Sequence, residues 1–105
     1  MKLKVNYEDL EQNVLEWAEE KGIFDKGTIG GQTKKMGEET FEIVEALLED
    51  DREKLIDAFG DTMVTLIILA EMKELDLVSC LEEAYQVIAK RTGAMVDGQF
   101  VKDGE

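Results

Sequence analysis

The sequence predicts an all-α fold: a four-helix bundle with a short C-terminal hairpin tail. Three observations lead there. The 105 residues contain no proline, so no helix is broken by a missing N–H or a clashing ring. Apolar residues recur at three- and four-residue steps over long stretches, the period of one helix face. Residues that favour helix N-termini, among them Asn6, Asp51 and Ser79, stand before those stretches.

Asn6 can cap a first helix that runs to about Lys21 and carries Leu10, Val14, Trp17 and Ala18 on one side. Gly22 ends it. Residues 22–31, GIFDKGTIGG, lack the spacing and strand context of a phosphate-binding fingerprint and read as a flexible connection or lid. A second helix is expected from about Gln32 to Glu49, with Met36, Thr40, Ile43, Val44 and Leu47 on its apolar stripe. Asp50 and Asp51 form a short turn and can cap a third helix, about Arg52 to Leu75. From Met63 to Leu69 this helix is apolar on nearly every side, the mark of burial all round. In so short a chain, part of that burial is expected from a second subunit, as a homodimer or homotetramer. Ser79 followed by Glu82 reads as a capping box opening a fourth helix that ends near Arg91, with Gly93 as its stop. Asp97-Gly98 between short apolar runs signals the hairpin. Nothing marks a linker or repeat, so residues 1–105 are expected to form one domain.

Composition narrows the function. Twelve basic against 25 acidic residues give a formal charge of -13. Nucleic acid polymers and anionic membranes are therefore disfavoured partners, whereas a small phosphorylated substrate remains possible if cations carry the attraction. The acidic excess also keeps a protein soluble. The single cysteine, Cys80, excludes an internal disulfide and reads as a packing residue. Met1–Leu10 has no apolar export stretch, and Met63–Ala70 is too short to cross a bilayer. A cytoplasmic protein is expected. Histidine is absent, which removes the usual triads and zinc sites.

Acid–base chemistry must then come from carboxylates, lysine, tyrosine or metal-bound water. Glu38, Glu42, Glu45 and Glu49 share one face of the second helix, with Glu39 at the edge of the apolar stripe. Such a run is often a solvated outer face, the reading that suits Glu45 and Glu49. Asp61 is more anomalous, because it shares a face with Asp57, Val64, Thr65 and Ile68 and points where the interior should be. A buried carboxylate must be paired or protonated. Its partner could be Lys35, Lys54 or a divalent cation. Two carboxylates about 4 Å apart repel by about 4 kcal/mol at an effective dielectric of 20. One lysine cannot offset three or four of them, and a hard dication can. Ligation by oxygens alone favours Mg²⁺ or Mn²⁺.

At these residues the sequence resembles the MazG-like nucleoside triphosphate pyrophosphohydrolases. That family's pattern is E-E-x-x-E, a gap, then E-x-x-D. Glu38-Glu39-Thr-Phe-Glu42 matches the first half, and Asp57-Ala-Phe-Gly-Asp61 matches the second at Asp61, with Ala58 where the pattern has glutamate. The form with Gly60-Asp61 resembles the small, stand-alone, phage-type branch. The resemblance implies a MazG-like bundle that hydrolyses a nucleoside or deoxynucleoside triphosphate to the monophosphate and pyrophosphate. It implies Glu39, Glu42 and Asp61 as Mg²⁺ ligands, with Asp57 or Glu53 as the fourth, and Glu38 as the residue that holds or deprotonates the attacking water. Bound metal shields phosphate charge and lowers the pKa of water. Lys35, Lys90 and Arg91 are suited to phosphate oxygens, although Lys90 and Arg91 also complement a helix C-terminus. Trp17 can stack a base or pack on the core. A catalytically inactive helical nucleotide-binding or protein-interaction module is the alternative that Ala58 raises.

Overall fold

In the computed structural model, which describes residues 5–104, five helices precede a two-stranded hairpin. They are α1 (Tyr7–Glu20), α2 (Ile23–Lys26), α3 (Ile29–Glu49), α4 (Arg52–Met72) and α5 (Leu77–Ile88), followed by β1 (Gly93–Val96) and β2 (Gln99–Lys102). The all-α class and the hairpin tail are as expected, with one additional short helix. The chain divides into two compact units, Met1–Leu75 and Asp76–Glu105.

In the first unit, Asn6 is extended and its Oδ1 accepts from the Asp9 N–H at 2.9 Å, satisfying an N-terminal donor of α1. Gly22 takes the left-handed conformation, with φ 77°, and turns the chain after α1. The glycine-rich stretch, expected as a flexible connection or lid, is largely helical. Residues 23–26 coil into one helical turn, and α3 begins at Ile29, three residues earlier than expected. The reason is Thr28, whose Oγ1 accepts from Gly31 N–H at 3.0 Å and caps α3. Asp50 closes α3 with φ 53°, and Asp51 Oδ1 accepts from Lys54 N–H at 3.0 Å to open α4. Lys54 Nζ meets Glu49 Oε2 at 2.9 Å across this turn. The turn folds α4 back antiparallel along α3, and α1 packs on α4 and α2. Gln32 Nε2 donates to the Thr65 carbonyl at 3.4 Å, one tie between the long helices.

The buried core is small: Ala18, Ala46, Ala58, Ile67 and Ile68. The apolar stripe expected on α3 is corrected here. Ile43 and Met36 are half-buried, but Thr40, Val44 and Leu47 face outward, and Glu39 lies inside instead. On α1, Ala18 is buried and Val14 half-buried, whereas Leu10 and Trp17 are each 47% exposed. On α4, Thr65, Ile67 and Ile68 are buried, Val64, Leu66 and Leu69 are half-buried, and Met63 is exposed. Phe41, Val44 and Leu48 form an exposed apolar stripe on α3, as do Ile56, Phe59 and Met63 on α4.

In the second unit, α5 starts two residues before Ser79. Asp76 holds the N-cap position, and Ser79 Oγ donates to Asp76 Oδ2 at 2.8 Å, so the expected Ser79–Glu82 box is not what opens the helix. The helix ends at Ile88, before Arg91. Gly93 lies within β1 rather than at a helix stop, and a Cβ there would collide with the Val101 carbonyl. The strands pair antiparallel, with Gly93 opposite Lys102 and Val96 opposite Gln99. Asp97 and Gly98 between them have φ 50° and 82°, the two positive values that suit a tight hairpin turn. Among the described residues, no helix is long and apolar enough to cross a membrane.

Candidate metal centre

The first unit brings three carboxylates together. Glu39 and Glu42 project from α3, one turn apart, and Asp61 from the antiparallel α4. One oxygen of each lies within 4.8 Å of the others. Glu39 is buried, and Glu42 and Asp61 are half-buried. Lys35, one turn before Glu39 on α3, reaches Glu39 Oε1 at 3.0 Å. The other oxygen, Oε2, is buried without a hydrogen-bond partner. Leaving a buried charged acceptor unpaired costs more than a typical hydrogen bond yields. The donor set is all oxygen, and its convergence leaves one inward-facing lone pair unmet. These residues therefore suit a hard divalent cation.

The electrostatics point the same way. The charge of Glu39 first, then loss of hydration and the charges of Asp61 and Glu45, push the Glu42 carboxyl above its ordinary value. Burial first, then the charges of Asp57 and Glu39, raise Asp61, while Lys35 pulls it back. The hydrogen bond and charge of Glu39 raise Lys35, which stays protonated. A carboxyl raised on folding makes the folded state hold its proton more tightly than the unfolded chain does. Stability of the metal-free protein should then fall as pH rises from the ordinary carboxylate range, near pH 4, through the raised values. Thermal melts in chelator should show a lower Tm at neutral than at mildly acidic pH. Asp61→Asn should flatten that slope, and an equal slope in the variant would count against the cluster as its source.

The other residues singled out from the sequence lie around or away from this trio. Glu38 is exposed beside Glu39 on α3. Asp57 is exposed one turn before Asp61; its charge reaches Asp61, but it is not among the three converging oxygens. Glu53 is exposed near the start of α4. Lys35 pairs with Glu39 and Lys54 with Glu49, so neither lysine forms a salt bridge with Asp61. Trp17 stands on α1, and Lys90 and Arg91 follow α5 in the second unit.

The family of phosphoribosyl-ATP pyrophosphohydrolases matches residues 8–87, more than half of the chain. The chain belongs to this family. The match spans all three carboxylates of the trio and agrees with the MazG-like pyrophosphohydrolase type of fold read from the Glu38–Glu42 and Asp61 motifs. Membership in the phosphoribosyl-ATP pyrophosphohydrolase family gives the class of activity, pyrophosphohydrolysis of a nucleotide phosphate. No curated protein and no solved structure matches the chain.

Glu39, expected at the edge of the apolar stripe and among the cation ligands, is the most buried acid among the described residues and belongs to the trio. Lys35 at i−4, the spacing of a helical ion pair, supports its inward carboxylate.

Proposed function

We propose that the protein is a Mg²⁺-dependent pyrophosphohydrolase of nucleoside or deoxynucleoside triphosphates, acting in the cytoplasm, with residues 1–105 as one functional domain. The observation that carries this reading is the trio Glu39, Glu42 and Asp61 with the unpartnered Glu39 Oε2. In this reading the three carboxylates hold the cation, with Mn²⁺ as a substitute, and Asp57 adds negative charge at its flank. When bound, the cation neutralises the carboxylates, attracts the phosphate oxygens and acidifies water.

The remaining work falls to the chain's own residues. Glu38, exposed next to Glu39, orients the attacking water and accepts its proton. The water oxygen bonds to the α-phosphorus as the bond from that phosphorus to the α–β bridging oxygen breaks. Pyrophosphate leaves with the bridging oxygen, and the monophosphate keeps the water oxygen. In the first unit, Lys35 is the cation proposed for the phosphate oxygens, and Trp17 offers a ring face for the base; Lys90 and Arg91 are cations of the second unit whose chemistry also suits phosphate.

The family match supports a second substrate reading, phosphoribosyl-ATP. It contains the same α–β phosphoanhydride, so the same residues would serve. The deciding experiment is pyrophosphate release from a panel of ribo- and deoxynucleoside triphosphates and phosphoribosyl-ATP, with and without Mg²⁺. Turnover of triphosphates with Mg²⁺ only is expected. Turnover of phosphoribosyl-ATP alone would move the assignment to that substrate. Binding without product from any compound would leave an inactive nucleotide-binding module.

Mg²⁺ is also expected to raise thermal stability, because the unfolded chain has no preformed site. At a hundredfold excess over Kd the gain is about 2.7 kcal/mol, several degrees in Tm for a chain of this size. An unchanged Tm at millimolar Mg²⁺ would remove the proposed centre.

A homodimer or homotetramer is part of the proposal. The exposed stripes Phe41, Val44, Leu48 and Ile56, Phe59, Met63 leave more apolar side chain in water than an isolated chain usually tolerates.

A further inference from the structure

The trio already has a counter-charge. Lys35 Nζ lies 3.0 Å from an oxygen of Glu39, the most enclosed of the three acids. Its charge also interacts with those of Glu38 and Glu42 on the same helix and reaches Asp61 on α4. One ammonium therefore serves all three converging carboxylates. The other ion pair seen in this unit, Lys54 with Glu49, lies at the turn between α3 and α4.

The two partners are unequally placed. The Glu39 side chain is 9% exposed, whereas that of Lys35 is 58% exposed. Glu39 Oε2 is buried without a partner, so this carboxylate is committed to the interior whether or not the lysine stays. Lys35 is not. Its long stem reaches in from the solvent side, and an exposed pair at i,i+4 is weak. One positive charge against three negative ones leaves the cluster far from balance. A dication supplies more charge to the same oxygens, and a second cation beside it is then repelled. Nor can one ammonium stay on Glu39 while it serves a phosphate oxygen, so the role given to Lys35 above requires it to leave.

We propose that Lys35 is the internal counter-cation of the metal centre: it holds Glu39 in the metal-free protein, competes with the divalent cation for the trio, and swings out when the cation binds. The inference rests on the metal reading of the trio. Lys35 is then a positioning residue that lets three converging acids fold together without metal. It is also a brake on affinity, because binding of the ion must break its pair with Glu39.

The test is calorimetric titration of the full chain with magnesium chloride and with manganese chloride, without nucleotide, at low salt and about pH 8, well above ordinary carboxyl values. Lys35→Met keeps a stem of similar length and removes the charge, so binding is expected to tighten roughly fivefold. Its Tm in chelator is expected to fall, since neither oxygen of Glu39 then has a partner. Lys35→Arg keeps the charge and should restore both values. Lys35→Gln leaves Glu39 a neutral donor, so it should tighten binding with a smaller loss of stability, which keeps the comparison available if Lys35→Met does not fold. Lys54→Met removes the other ion pair and should leave the affinity unaltered. Weaker binding in the neutral Lys35 variants overturns the inference, since the lysine would then orient Glu39 for the ion rather than compete with it. Equal binding overturns it too and makes the pair an ordinary surface contact. In both of those cases the metal centre stands. Absence of binding in the unaltered chain and in the neutral variants removes the metal centre and this inference together.

Discussion

Asp61→Asn is expected to abolish pyrophosphate release while raising the melting temperature of the metal-free protein. The two effects share one cause. Burial and the nearby charges of Asp57 and Glu39 make ionisation of Asp61 unfavourable in the folded state, so a neutral side chain of the same shape removes repulsion. The same change removes one of three converging oxygens, and a metal centre contributes several kcal/mol to charge stabilisation in the transition state. A loss of about 3 kcal/mol corresponds to at least about a hundredfold in rate. Steady-state assays and melts in chelator, run on the same preparations, check both signs. Most substitutions destabilise, so a variant that is inactive and more stable would be hard to attribute to misfolding. A variant that is inactive and less stable would place Asp61 in a structural rather than a repulsive environment.

Phe59→Glu combined with Phe41→Glu is expected to reduce the proposed oligomer to single chains. Both phenylalanines are more than half exposed and sit in stripes that water wets in the isolated chain. Covering one such aromatic contributes about 1.5–3 kcal/mol, and burying an unpaired carboxylate in its place costs several more. Light scattering should therefore show a shift from oligomer to single chain, with the helical signal intact. At a charge of -13, like-charge repulsion opposes association, so added salt should strengthen it in the unaltered protein. An unaltered mass in the double variant would mean that these stripes are not the contact.

Much of the helical framework was legible because it rests on local chemistry. Asn6 and Asp51 cap the helices expected of them, and Asp97-Gly98 forms the turn that its two residues favour. The misses arose where two local signals competed. Glycines at 30 and 31 weaken a helix, but the Thr28 cap and the packing of α3 on α4 prevail, so α3 starts at Ile29. Ser79 was a sound cap candidate until Asp76, three residues earlier, took its hydroxyl.

The inward face of α3 was the least legible feature. Hydrophobic periodicity selects the greasiest stripe, and here that stripe, with Val44 and Leu47, faces outward. The face turned to α4 carries Glu39 instead, with Lys35 on one oxygen and no partner on the other. The convergence of the carboxylates was legible for the opposite reason: Asp61 contradicted its apolar neighbours, and the structure brings it to Glu39 and Glu42.

The alanines buried on α3 and α4, Ala46 and Ala58, bear on ionic radius. Short buried side chains on two packed helices favour a close approach, and the spacing of α3 and α4 would set the diameter of the proposed ion site. Mg²⁺ requires oxygens at about 2.0–2.1 Å, whereas Ca²⁺ accepts about 2.3–2.6 Å and more of them. Enlarging Ala58 to valine would spread the helices and tilt the preference from the smaller ion towards the larger one. Discrimination between the two dications would then lie partly in two methyl groups that are not among the proposed ligands.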